Sequence, residues 1–245
     1  VVDWTKIKEM YKNGSYKPYS EDEDELIKVI IFIKQNIFPW IRLNRIIRDI
    51  PNINLIGGNK NVNLRQKILA RDDVNCQCIR CREVKDKKKK IYQAELFVRQ
   101  YNGFNSTEYF ISYESHDQKI LYGFLRLRIN HTNEDLIYKE LEDCSFIREL
   151  HVYGKVVNHR SKEKEVQHMG FGKKLIRKAE QLSFENNIHK VAIISGVGVR
   201  EYYEKNGYQL VNNYMIKELY QYPRLDCFEI IILLTLLLII VSFAY

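Results

Sequence analysis

In Gln167–Leu175, QHMGFGKKL, two glycines one residue apart stand where an amphipathic helical pattern begins. Glycine is a poor helix former, so Gly170 and Gly172 call for another reason. The first turn of a helix offers free N–H groups and partial positive charge, which suits a phosphate. A residue with no Cβ lets a diphosphate come close to that backbone. A Walker loop would need Gly-Lys followed by Ser or Thr, and a dinucleotide fingerprint would need a third glycine; this loop has neither. The competing reading is an ordinary loop entering a helix. A second cluster, Cys76, Cys78 and Cys81 in CQCIRC, places three soft ligands in one loop. That set suits tetrahedral zinc once a fourth ligand joins. Cys144, a histidine or a residue from outside this sequence are the candidates for the fourth, and free thiols are the plainer alternative.

The elements that must position these residues follow from periodicity. Residues 1–75 read as mainly helical: EDEDELIKVIIFIKQNI has an acidic first turn and an apolar stripe, and Pro39 ends it. PWIRLNRIIRDIP places Arg42, Arg45 and Arg48 at every third position. On one side these would suit phosphate contacts; the alternative is ion pairs to the acidic run at 21–25. The basic run at 85–90 closes the cysteine-rich linker, 76–90, as a solvated loop or an extension of a phosphate-binding surface. From 91 to 219 the pattern is α/β (α+β): four runs rich in Tyr, Phe, Val and Ile, a helix with Leu175, Ile176, Ala179 and Leu182 on one face, a short apolar strand, a short helix ending at Gly207, and final strands.

Bulk composition narrows the setting. The formal charge is +8 and the pI about 9.1, which favours a polyanionic partner, nucleic acid or an acidic membrane surface. Five cysteines, three of them within 76–81, make metal chemistry in a reducing compartment a better expectation than a disulfide framework. Phe228–Tyr245 carries one charge, Glu229, and from Ile230 it spans roughly 24 Å as a helix. It is expected to be a transmembrane tail anchor, with the bulk of the chain on the cytoplasmic side of the mitochondrial outer membrane or endoplasmic reticulum. Without the anchor the setting would be cytoplasm or nucleus. The start at valine suggests a fragment.

The Gln-x-x-Gly-x-Gly spacing resembles the acetyl-CoA loop of the GNAT acyltransferases. That resemblance implies a splayed strand before the loop, here ELHVYGKVV, whose exposed backbone binds the pantetheine arm. It also implies an aromatic hydroxyl on a later helix that protonates the departing CoA thiolate, a place filled here by Tyr202 and Tyr203 in REYYEKNGY. One of the two is expected to be packing only.

RELHVYGKVV, QHMGFGKKLIRKAE, ISGVGVREYYEKNGYQL and YMIKEL together resemble the acetyltransferase domain of the Elongator catalytic subunit family. YKPYSEDEDELIKVI, PWIRLNRIIRDIP, GNKNVNLRQ and CQCIRCREV resemble that family's segment joining a radical-SAM domain to the acetyltransferase, including its zinc-binding linker. The resemblance spans about residues 3–219. It implies an enzyme that uses acetyl-CoA to form 5-carboxymethyluridine at the tRNA wobble position, with other Elongator subunits as partners. Gln167, Gly170, Phe171 and Gly172 would serve the diphosphate, Glu149, Leu150, His151 and Val152 the pantetheine, and Tyr202 the region of the CoA sulfur. Glu149 is the nearest candidate base, with a strand-end ion pair as its alternative. The family's iron–sulfur cluster and S-adenosylmethionine need a three-cysteine signature, Cys-x-x-x-Cys-x-x-Cys or a longer variant, that this sequence lacks. Acetyl transfer to protein lysine, or a non-catalytic tRNA and acetyl-CoA docking module, are the alternatives.

Overall fold

Two helices, α1 (Ile7–Lys12) and α2 (Glu23–Asn36), open the chain. The side chain of Asp22 caps α2 by accepting from the N–H groups of Asp24 and Glu25 at 3.1 and 3.0 Å. Glu23, Asp24 and Glu25 favour the same helix end through the dipole. The helix stops at Asn36, before Pro39. The structure, a computed structural model, describes residues 1–44, 46, 50–71, 73–85, 91–134, 136–153 and 170–220. Beyond the first two helices these residues form α3 (Leu64–Leu69), α4 (Ile79–Arg82), α5 (Phe171–Glu185) and α6 (Arg200–Glu204). The strands are β1 (Glu95–Gly103), β2 (Ser106–Glu114), β3 (Leu121–Asn130), β4 (Cys144–Val152), β5 (Lys190–Ile194), β6 (Gln209–Val211) and β7 (Tyr214–Glu218), ordered β1-β2-β3-β4-β5-β7-β6.

One unit comprises Val1–Tyr101, Tyr109–Arg126 and Glu149–Leu175. In it, Ile27 of α2 packs with Leu64 and Ile68 of α3. A separate cluster joins Ile79 of α4 to Phe110, Leu121 and Phe124 of β2 and β3, with Trp40 against it. Trp40 is itself stacked between Phe38 and Tyr101, at centroid distances of 4.7 and 4.8 Å. Beneath the linker lies a buried charge network. Glu114, fully buried, receives Arg82 at 2.8 Å and both Arg99 Nη atoms at 2.8 and 2.9 Å. Arg82 also donates to the carbonyls of Pro39, Gln77 and Gln118. Burial pushes the Glu114 carboxyl up, but the Arg99 hydrogen bonds, the Arg82 charge and Ser112 outweigh it and leave the carboxyl below its ordinary value.

The other unit comprises Asn102–Glu108, Leu127–Arg148 and the chain from Ile176. β4 and β5 are parallel, with Cys144–Ile147 opposite Lys190–Ile193, and the crossover between them contains α5, the usual way to join parallel strands. β5 pairs antiparallel with β7, and β6 and β7 form a hairpin whose turn places Asn212 at φ 52°. Ile176, Ala179 and Leu182 of α5 are buried. Ser183 meets Ser145 of β4 at 2.6 Å and donates to the carbonyl of Ala179.

The mixed α/β character agrees with the sequence pattern, and two expectations need correction. The transmembrane helix assigned to 228–245 lies outside the described residues, and among those described no helix is long and apolar enough to cross a membrane. The tail-anchored membrane localisation therefore has no structural element behind it and is withdrawn. Arg42 is not on a helix face: the backbone at 41–44 carries no helix, because Pro39 interrupts the pattern there. Its partner is Glu83 at 2.7 Å, not the acidic run, while Arg45 and Arg48 lie outside the described residues.

Removing one partner from a buried ion pair costs about 3–5 kcal/mol. Glu114→Gln is expected to lower unfolding stability by about that amount in urea denaturation; a loss below about 1 kcal/mol would refute the role given to the network. A depressed folded-state carboxyl stabilises above its unfolded value, 4.5, and loses that contribution as pH falls through the depressed one. Part of the acid-induced loss of stability is thus expected to be missing in Glu114→Gln.

Candidate functional site

The first unit brings the end of β4 and the start of α5 onto one apolar cluster. Phe171, the first residue of α5, is buried with Val84, Ile91 and Tyr122, and Val152 and Tyr153 pack against the same group. The Phe171 ring stacks on Tyr113 at 4.4 Å, and the ammonium of Lys174 sits over both rings. Gly170 precedes the helix with φ +68°, a left-handed conformation, and a Cβ built there would meet no described residue within 4 Å. Its requirement for glycine is therefore conformational. Gly172 lies in the first turn of α5, and Gln167 lies outside the described residues.

Glu149, Leu150, His151 and Val152 form the last turnless stretch of β4. Glu149 is exposed, and its carboxylate accepts from Arg126 Nε at 2.9 Å. Arg126 also donates to the Trp40 carbonyl at 2.7 Å and lies over the Phe110 and Phe124 rings. Glu149 is thus a strand-end ion-pair partner. His151 rests on Tyr153 and Phe124. Tyr153 continues the strand, its N–H bonded to the Tyr122 carbonyl at 2.9 Å, and its hydroxyl accepts from Arg42 at 3.0 Å. Burial, with Glu83 nearby, pushes that hydroxyl up to about 12 despite the opposing Arg42.

The three linker cysteines converge: their sulfurs lie within 4.8 Å of one another. Hydrogen bonds from Cys76 and Cys81 hold the Cys78 thiol well below its ordinary value, and Cys76 is pushed well above it by bonding to Cys78 and Cys81. Lys34, fully buried on α2, directs its ammonium at the sulfurs of Cys76 and Cys81 from 3.8 and 3.7 Å. Arg65 reaches Cys81 at 3.4 Å. Soft donors gathered in one loop form a set that can hold a thiophilic metal ion. Cys144 is not part of this group among the described residues; its thiol donates to the Glu140 carbonyl, and burial pushes it up to about 11.

In the second unit, α6 presents the two tyrosines differently. Tyr203 is buried, edge-on to Tyr202 and Tyr208. Tyr202 is 39% exposed. Burial pushes its hydroxyl up, so it keeps its proton at neutral pH and can donate it. The Ser195 hydroxyl, before α6, and Nε of Arg200, its first residue, are buried with no hydrogen-bond partner among the described residues.

Sequence reasoning missed Lys34, Arg126, Gly123 and the Ser195–Arg200 pair. Lys34 had a signal: it interrupts an apolar helix stripe. Gly123 had one too, as an isolated glycine in a strand pattern. A Cβ there would lie 3.0 Å from the His151 carbonyl and 3.3 Å from Val152 Cα. Only a bare backbone lets β3 come this close to the end of β4. Arg126 had none, since a lone arginine in an alternating strand reads as solvent-facing.

A family model described as the C-terminal domain of radical-SAM proteins matches residues 1–72, and one for the acetyltransferase (GNAT) family matches residues 79–208. The tRNA uridine(34) acetyltransferase of Methanocaldococcus infernus is 39% identical over 232 residues, covering 89% of this chain and 42% of that one. The human Elongator complex protein 3 is 42% identical over 229 residues, covering 89% and 41%. The chain therefore spans about two-fifths of the length of these relatives. A solved structure of the archaeal Methanocaldococcus infernus Elp3 with an N-terminal deletion aligns with a TM-score of 0.77 and 38% identity, over 89% of this chain and 53% of that one.

Two outcomes test the local geometry. Gly170→Ala is expected to lower stability by about 1–2 kcal/mol through backbone strain alone, read as a drop in Tm; an unchanged Tm would remove the left-handed constraint. Cobalt(II) is expected to give thiolate-to-metal charge-transfer absorption with the wild-type chain and none with Cys81→Ser, and equal spectra would separate the triad from metal binding.

Proposed function

From the chain's membership of the acetyltransferase (GNAT) family, we propose that it is the acetyl-CoA-binding part of an Elongator-type enzyme that forms 5-carboxymethyluridine at the tRNA wobble position. The observation that carries this reading is the left-handed Gly170 at the start of a helix whose first side chain is packed with Val152. The CoA diphosphate would face the free N–H groups of the first turn at Gly170, Phe171 and Gly172. Glu149–Val152 would hydrogen-bond the pantetheine amides through their backbone; in the β4–β5 register Ile147 is opposite Ile193, and β5 ends one residue later, at Ile194. Tyr202, protonated at neutral pH, would donate to the CoA sulfur as the thiolate departs. Tyr203 would support it by packing.

The relatives' printed names supply the substrate class, tRNA uridine(34), and the assembly, the Elongator complex. The division into 1–75, 76–90 and 91–219 is part of the proposal. So is zinc at Cys76, Cys78 and Cys81, where it would staple the linker without entering the chemistry. When bound in such enzymes, an iron–sulfur cluster with S-adenosylmethionine supplies the radical that activates the acetyl methyl group; the residues described here would present the thioester. Transfer to lysine is less well supported, because Glu149, the nearest candidate base, is held by Arg126.

Acetyl-CoA at 100 times its Kd is expected to stabilise the chain by about 2.7 kcal/mol, visible as a rise in Tm. No heat in calorimetry and no thermal shift would reject the reading. Tyr202→Phe is expected to bind acetyl-CoA normally while lowering tRNA-stimulated CoA release about 100-fold in the full-length enzyme.

A further inference from the structure

The second unit carries a cavity of about 400 Å³ that none of the roles above uses. This is within the size range of small-ligand pockets. Its charge comes from Arg128 and Arg148, which share one carboxylate. Arg148 Nη1 donates to Glu108 Oε1 at 2.8 Å and Arg128 Nη1 to the same oxygen at 3.2 Å. Glu108 is buried and does not line the cavity, and no acidic side chain does. Two guanidiniums against one carboxylate leave a surplus positive charge. The arginines are not equivalent. Arg128 is committed on every nitrogen, with Nε on Asn130 and Nη2 on the Phe104 carbonyl. Arg148 uses one nitrogen on Glu108; among the described residues its Nε and second Nη have no hydrogen-bond partner, and its side chain is 45% exposed. It is an oriented guanidinium fork with an open edge, the geometry that matches a phosphate.

Beside the fork the wall is apolar, from Phe146, Leu136 and Leu141, and the rim is polar, from Asn105, Asn130 and Thr132. Tyr214 meets Phe146 edge-on, fixing the ring. Phe104, whose carbonyl anchors Arg128, leaves its ring 85% exposed. An anion fork, an apolar slot and side-chain amides together match a phosphate joined to an unstacked base. We propose that this cavity seats one unstacked nucleotide of an RNA substrate, with its phosphate on Arg148, its base against Phe146 and Leu141, and Asn105 and Asn130 at the base edge. The proposal rests on the reading of the chain as acting on tRNA, and it adds a subsite in addition to the acetyl-CoA residues.

The test is fluorescence anisotropy with a labelled tRNA anticodon stem-loop, across a salt series. Arg148→Lys keeps a cation on Glu108 but loses the fork, and Phe146→Leu keeps apolar volume but loses the ring; circular dichroism checks that both fold. Arg148→Lys is expected to weaken binding about tenfold, and Arg148→Ala in addition to flatten the salt slope by about 0.7. Phe146→Leu is expected to weaken binding at least about fivefold with the salt slope unchanged. Folded variants that bind RNA like wild type would overturn the cavity and leave the tRNA reading intact. A wild-type chain that binds no RNA would overturn both. Uridine monophosphate competing as well as the stem-loop would assign the site to free nucleotides. Variants that lose polyglutamate binding but keep RNA binding would assign it to an acidic peptide. Either result also overturns the proposal.

Discussion

Glu114 is a fully buried carboxylate, and its ionised form is tolerable only because Arg82 and Arg99 converge on it. Desolvating a charge is costly, so such a group admits few arrangements of its neighbours. Arg82 is the more consequential partner. It follows Cys81 directly, and its remaining N–H groups reach Pro39, Gln77 and Gln118. One guanidinium thus fixes the cysteine loop, the segment after α2 and the turn between β2 and β3. The three cysteine sulfurs lie close together in part because the residue that follows them cannot move.

From that anchor a second layer runs toward the end of β4. Trp40, one residue beyond Pro39, stacks on Tyr101 and offers its carbonyl to Arg126, which holds Glu149. Arg42 bonds the hydroxyl of Tyr153 just past β4. The segment matched by the radical-SAM family model therefore reaches both ends of the stretch proposed to bind pantetheine, through the Trp40 carbonyl on Arg126 at one end and the Arg42 side chain on Tyr153 just beyond the other. Within this unit the two family segments share a core instead of sitting as independent modules.

The periodic part of this architecture was readable in advance. The α2 stripe with its acidic first turn, the α5 face of Leu175, Ile176, Ala179 and Leu182, and the strand runs of β1–β5 all obey local rules, and so the pattern alone locates them. The glycines at the α5 start could also be read, because a poor helix former at a helix entry needs an explanation. What could not be read depends on distant partners. Glu114 and Arg126 sit in alternating strands and look solvent-facing, yet one is buried among arginines and the other clamps a carbonyl eighty-six residues away. The every-third-residue arginines misled for a related reason: the spacing is helical, but Arg42 lies in non-helical backbone and is recruited by Glu83 and Tyr153. Apolarity at 228–245 suggested a membrane span on composition alone.

The contact between Arg42 and Tyr153 closes a loop of 111 residues. At the usual pace of synthesis, the ribosome needs on the order of 10 s to add that much chain. Over that interval Trp40 and Arg42 have emerged without the strand end that they reach. The sequence order of the contacts, more than their strength, makes this contact a late-closing one.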